Sequence, residues 1–123
     1  MKTKKLTRSK AMKLADSAFS LYIRNRDNWT CVCCGAVYRD QRMHCGHMIR
    51  RGRGMTRFDE DNCHAQCFKC NFTHNYHPHI MEAKVLKKIG ADRFAALLMR
   101  GAEVRQWKIG ELVELTHFYK EKS

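Results

Sequence analysis

The spacing of four cysteines constrains this chain more than any other feature. Cys31 and Cys34 in CVCCG, and Cys67 and Cys70 in CFKCN, form two CxxC turns. Each turn presents two thiolates on one side of a tight loop, and two such turns supply the four sulfur ligands of a closed tetrahedral zinc site. A chain of 123 residues buries only a modest apolar core, so a metal staple would carry a large share of its stability. Seven cysteines are present, an odd number that suits a disulfide framework poorly. Cys33, Cys45 and Cys63 are then left over as small buried thiols.

Charge is distributed unevenly. Residues 1–57 hold 14 Lys/Arg against 3 Asp/Glu, whereas residues 58–123 hold 10 against 9, within a net charge of +12. An asymmetry of this size describes an anion-facing surface, and nucleic acid is the polyanion it fits best. Arg50, Arg51, Arg53 and Arg57 cluster around glycines between the two cysteine turns, which points to phosphate contacts there. The N-terminal MKTKKLTRSK is basic but passes into an amphipathic pattern without an apolar h-region, and no run of about 18 apolar residues occurs. The expectation is a chain with neither secretion signal nor membrane span, working in a reducing cytoplasm, that of the host if the gene is carried by a phage.

Taken in order, the chain predicts a helix from about Thr7 to Arg26, with Ala11, Leu14, Ala15, Ala18, Leu21 and Tyr22 as its apolar stripe. Asn28 breaks that pattern, and Gly35 allows the backbone of the first cysteine turn. Arg42–Ile49 reads as a strand, RRGRGMT as a loop, and Asn62–Gln66 as a second strand. A short helix from about Phe68 to Tyr76 follows, ended by Pro78. Three further helices close the chain, the first two stopped by Gly90 and Gly101, with Ile80, Val85, Leu86, Phe94, Leu97, Leu98, Leu112, Leu115 and Phe118 packing them. The fold class is therefore α+β: a single domain with an N-terminal helix in residues 1–28, a small zinc-stapled ββα-metal core in 29–77 and a helical C-terminal region in 78–123.

A zinc-held ββα unit with a histidine ending its first strand and an asparagine opening its helix resembles the HNH nucleases. The words YIRNRDNWTCVCCG, HCGHMIRRG, TRFDEDNCHAQCFKCN and HNY, over roughly residues 19–77, look like the phage NinG/Rap recombination endonucleases, whose core is similar to that of the endonuclease VII resolvases. The resemblance implies that Cys31, Cys34, Cys67 and Cys70 hold a structural zinc, that His47 is the general base, that Asn71 binds a catalytic divalent ion, and that Asn62 braces the loop between the strands. It also implies branched DNA, of Holliday-junction or D-loop type, as substrate, with a homodimer and recombination proteins as possible partners.

Phosphodiester hydrolysis asks for similar parts on chemical grounds. A base titrating near neutrality deprotonates water, for which histidine is the natural side chain. A hard cation such as Mg²⁺ or Mn²⁺ stabilises the developing charge and takes oxygen ligands such as an asparagine amide. One departure stands out: many HNH enzymes carry an aspartate just before the base, and this chain has Gly46. His44, His74 and Asn75 are candidates for the missing ligand, and water could also fill the gap. The reading from another class is a non-catalytic zinc module that binds DNA or RNA. Trp29 and Trp107 read as packing residues, and His64, His77, His79 and His117 as structural or surface ones.

Overall fold

A computed structural model describes residues 5–123; the first four residues, part of the basic N-terminal stretch, lie outside the described residues. Helix α1 spans Arg8–Arg26, and the Thr7 side chain caps it by accepting from the Lys10 backbone N–H at 3.2 Å. Its buried face is Ala11, Ala15, Ala18, Phe19 and Ile23. The expected stripe is thus shifted in phase, for Leu14 and Leu21 are exposed. The alanines explain the shift. Small side chains let the last helix, α5 (Ile109–Lys122), lie close along α1, and Leu112 and Tyr119 of α5 join Phe19, Ile23 and Phe58 in one cluster. Phe19 meets Tyr119 and Phe58 edge to face, at centroid distances of 4.8 and 5.7 Å.

Two strands, β1 (Met43–His47) and β2 (Cys63–Cys67), pair antiparallel, with His44 opposite Gln66, Gly46 opposite His64 and His47 opposite Cys63. Helix α2 (Phe68–His74) starts directly where β2 ends, so the second cysteine turn straddles the strand–helix junction. The first turn is tied to β2 by the Val32 N–H donating to the Ala65 carbonyl at 2.8 Å. It is closed by the Gly35 N–H donating to the Cys31 carbonyl at 2.9 Å, with Gly35 at φ 77. A 3-10 turn, Arg51–Arg53, interrupts the loop between the strands.

Pro78 does not end α2. The helix stops at His74, and Pro78 instead opens α3 (Pro78–Ile89), where its missing N–H costs nothing. Gly90, at φ 89, ends α3 as expected. Gly101 has a different role. It is the last residue of α4 (Ala91–Gly101), so the helix ends where expected, but without the positive φ of a glycine cap; it is buried, and a β-carbon there would sit 2.3 Å from Ile49 Cδ1, a close approach that favours glycine. In these helices Val85, Leu97 and Leu112 are buried, whereas Ile80, Leu86, Leu98 and Phe118 are exposed and Met81 and Tyr119 take core positions instead.

A polar cluster locks α1, β2 and α3 together. Arg26 donates to the Cys63 and Glu60 carbonyls, both at 2.8 Å, and Asp27 accepts from the Ala65 N–H at 2.8 Å while pairing with Lys88 at 2.9 Å. His64, fully buried, donates from Nε2 to the Asp61 carbonyl at 2.8 Å and accepts from Lys88 Nζ at 2.9 Å on Nδ1. Burial, then the Lys88 charge, pulls its pKa down to about 4. As pH falls, the unfolded chain therefore binds a proton before the folded one does. Stability is full above about pH 6.5 and declines by about 3 kcal/mol as pH falls to about 4. Urea midpoints of wild type and His64→Gln are expected to differ in pH dependence over that window, the variant being flatter; equal slopes would refute a role for His64.

Candidate functional site

The Sγ atoms of Cys31, Cys34, Cys67 and Cys70 all lie within 4.8 Å of one another. Cys34 and Cys67 are 3.8 Å apart, close to the edge of a tetrahedron with Zn–S bonds of about 2.3 Å. A hydrogen bond from Cys33 holds the Cys31 thiol down to about 3, while burial pushes Cys70 up. Four thiols so placed could hold a structural zinc, and a divalent ion is what would allow all four to ionise together. Cys33, adjacent to this group, receives a weak hydrogen bond from Gln66 Nε2 at 3.5 Å.

Beside the cysteine cluster, two clefts meet at His44, Cys45, His47 and Arg51. The larger, of about 810 Å³, is also lined by Arg50, Asn71, His74, Asn75 and Tyr76, and no carboxylate lines it among the described residues. The smaller, of about 410 Å³, adds Asp16, Arg24 and Gln41. His47 ends β1 half-buried, with Nε2 donating to the Arg57 carbonyl at 2.9 Å. That bond fixes the tautomer and leaves Nδ1 as the ring's lone pair. Burial lowers the pKa of His47, aided by Arg51, so the ring is unprotonated at neutral pH.

His44 and Asn71 touch. Asn71 Nδ2 lies 3.1 Å from His44 Nδ1, across the gap between β1 and α2. His74 faces the same cleft but is held by Nε2 donating to the Met48 carbonyl at 3.1 Å, and its Nδ1 is buried without a partner. Asn75 lies one turn beyond Asn71 and is exposed at the rim. The position before His47 is closed to any side chain, because a β-carbon on Gly46 would lie 2.2 Å from Gln66 Oε1. His44 and Asn71 are thus the pair of candidate residues that the fold brings into contact, an imidazole and an amide.

Asn62 is completely buried and acts through the loop. Its Oδ1 accepts from the Ile49 N–H at 2.7 Å, and its Nδ2 donates to the Ile49 and Thr56 carbonyls at 3.0 and 3.1 Å. These bonds tie both ends of the arginine–glycine segment to the start of β2. The arginines of that segment differ. Arg50 and Arg51 are exposed beside the larger cleft, while Arg53 donates to the Ala102 carbonyl at 2.6 Å from an exposed position. Arg57 is turned inward: its guanidinium grips Asp16 through two hydrogen bonds, 2.9 and 2.5 Å, and is only 17% exposed against 61% for Arg51. Asp16 had no signal in the sequence beyond being the lone acid on α1.

The tryptophans pack. Trp107 donates to the Gly54 carbonyl at 2.8 Å under Arg105, and Trp29 donates to Asn25 Oδ1 at 2.9 Å under Arg24. Among the described residues, no helix is long and apolar enough to cross a membrane.

No protein of curated function and no solved structure matches this chain. A family model does, the one described as the Bacteriophage Lambda NinG protein, and the match runs over residues 1–123. With its whole length covered, this chain belongs to the NinG family.

Proposed function

We propose that this protein is a metal-dependent, structure-selective DNA endonuclease of HNH type, hydrolysing phosphodiesters in branched recombination intermediates. The observation that carries the reading is the convergence, in one cleft, of an oriented unprotonated histidine, a histidine–asparagine donor pair and two exposed arginines. The four-cysteine cluster ties α2, through Cys70, to the end of β2 at Cys67, and β2 carries β1 by strand pairing, so the wall bearing His44 and His47 is linked to the one bearing Asn71.

The chemistry follows from these positions. Water is bound beside His47, and Nδ1 removes its proton as the oxygen attacks phosphorus. The bond from phosphorus to the 3′ oxygen breaks, leaving a 3′ hydroxyl and a 5′ phosphate. Arg51 and Arg50 orient the phosphate and offset its developing charge. A divalent ion held by Asn71 and His44 would supply further charge stabilisation at the phosphate and the leaving oxygen. The residues fit such an ion, but with an imidazole in place of a carboxylate they favour Mn²⁺ over Mg²⁺. Phe72 on α2 and Tyr76 just beyond its end, 66% and 69% exposed and 5.5 Å apart, offer aromatic faces to unpaired bases, Tyr76 from the cleft lining itself.

The competing reading is a binding-only zinc module, favoured by one observation: Gln66 fills the space in which an acidic ligand at position 46 would stand. End-labelled duplex, flap, D-loop and four-way junction substrates separate the two. The expected result with zinc-loaded protein is cleavage that needs Mn²⁺ or Mg²⁺, is strongest on branched substrates, and leaves 5′ phosphates. Salt-sensitive binding without cleavage of any substrate would establish the binding-only module instead.

A further inference from the structure

Cys45 and Cys63 read in the sequence as spare thiols, but the strand register gives them a common neighbour. His47 stands opposite Cys63, and Cys45, two residues before His47, projects from the same face of β1. The Sγ atoms of Cys45 and Cys63 and a ring nitrogen of His47 all lie within 4.8 Å of one another. This group shares no residue with the four-cysteine cluster. It is also held in place: the Arg57 carbonyl accepts from His47 Nε2 at 2.9 Å and from the Cys63 thiol at 3.6 Å. Cys63 forms a fully buried back wall, while Cys45 and His47 line both clefts and give an ion a route in.

We propose that Cys45, His47 and Cys63 form a second metal site, selective for soft divalent ions such as Zn²⁺, with its fourth position open to the cleft. Ligand atoms of a tetrahedral S₂N site lie on the order of 3.5–3.8 Å apart, so side-chain adjustments of about 1 Å close the site around an ion. Binding is a ligand exchange: two thiol protons leave, two metal–sulfur bonds and one metal–nitrogen bond form, and nothing is oxidised. Two thiolates and an imidazole discriminate against Mg²⁺ and Mn²⁺, which prefer oxygen, so the ions used for cleavage would not fill it. An ion here draws His47 into its coordination shell and takes the ring out of use as a base. The site would thus let free zinc, beyond the equivalent held by the four cysteines, switch the enzyme off. This last consequence rests on the nuclease reading; the metal binding does not.

The test is metal stoichiometry. Full-length protein reconstituted with Co²⁺ is expected to hold two ions per chain, both with thiolate charge-transfer absorption, and Cys45→Ala and Cys63→Ala to hold one each while keeping the circular dichroism of the parent. Cadmium NMR of the wild type serves as a check that needs no substitution, with one resonance from an all-sulfur site and a second from a site of two sulfurs and a nitrogen. A single ion in the wild type, a second ion that persists in both variants, or a single all-sulfur resonance overturns the site. Excess Zn²⁺ is expected to lower cleavage at least tenfold. If the second ion binds and cleavage is unaffected, the switch fails and the site stands; if no substrate is ever cleaved, the nuclease reading fails and the stoichiometry still decides the site.

Discussion

Replacing His47 with alanine is expected to lower the cleavage rate by a factor on the order of 10²–10⁴, the usual contribution of a positioned general base. The zinc of the four-cysteine cluster and junction binding should be unchanged, because His47 is half-buried at the end of β1 and belongs to neither that cluster nor an apolar one. The tautomer makes the expectation specific. With Nε2–H committed to the Arg57 carbonyl, Nδ1 is the basic atom, so a glutamine, which can keep the bond to Arg57 but has no basic nitrogen, should fail as completely as alanine. The pH profile adds a second signature. Burial depresses the His47 pKa, so the working form is the unprotonated one and is lost only as pH falls through a value below the ordinary 6.5. The rate should therefore rise with pH to a plateau already reached by neutrality, and the acid limb should disappear in the variants' residual activity. Asn71→Ala behaves differently: it should weaken the apparent affinity for Mn²⁺ and leave the pH midpoint in place. Cleavage by His47→Ala at the wild-type rate would show that this ring is not the base.

How much of this was legible in the sequence depends on the range of the interaction. The cysteine turns, both strands and α1 have local signatures, a CxxC spacing or a period of hydrophobicity, and the structure places them within a residue or two of expectation. What failed was information held by a distant partner. Leu14 and Leu21 belong to the stripe by spacing alone, and only the approach of α5 decides that the alanine face is the buried one. Arg57 looks in the sequence like its neighbours Arg50, Arg51 and Arg53, yet Asp16, forty-one residues away, captures it with two hydrogen bonds. Gly46 reads as a missing ligand until Gln66, two residues along β2 from its register partner His64, is found to fill the space beside it. The pairing of Cys63 with His47 is likewise a consequence of register. Strand alternation could have suggested Cys45 and His47 as same-face neighbours, but no local pattern reveals which residue of the second strand they meet.

Removing metal from the four-cysteine cluster is expected to release β1, β2 and α2 while α1 and α5 remain helical. The apolar group around that cluster, Cys31, Met43, Ala65 and Cys67 with Trp29 and Tyr38 against it, is small, and its sulfurs are themselves part of it. Structural zinc sites contribute about 10–16 kcal/mol of apparent binding energy, as much as or more than the about 5–15 kcal/mol net stability of a typical domain, so a group this size would not stay assembled without the ion. The α1–α5 cluster has its own aromatic core in Phe19, Phe58 and Tyr119 and shares none of these cysteines. Hydrogen exchange before and after chelation should therefore show protection lost in residues 43–47 and 63–74 and largely kept in α1 and α5. Ligand position matters too. Cys67 is buried at the β2–α2 junction and Cys34 is exposed, so Cys67→Ser should be the more damaging, leaving a hydroxyl in an apolar group where Cys34→Ser leaves one in water. Because His44 on β1 and Asn71 on α2 meet across the gap that this unit sets, loss of the ion should abolish cleavage even where DNA binding through Arg50 and Arg51 persists. Unchanged exchange in β1 and α2 after complete removal of zinc would mean that the cysteines are not what holds the cleft together.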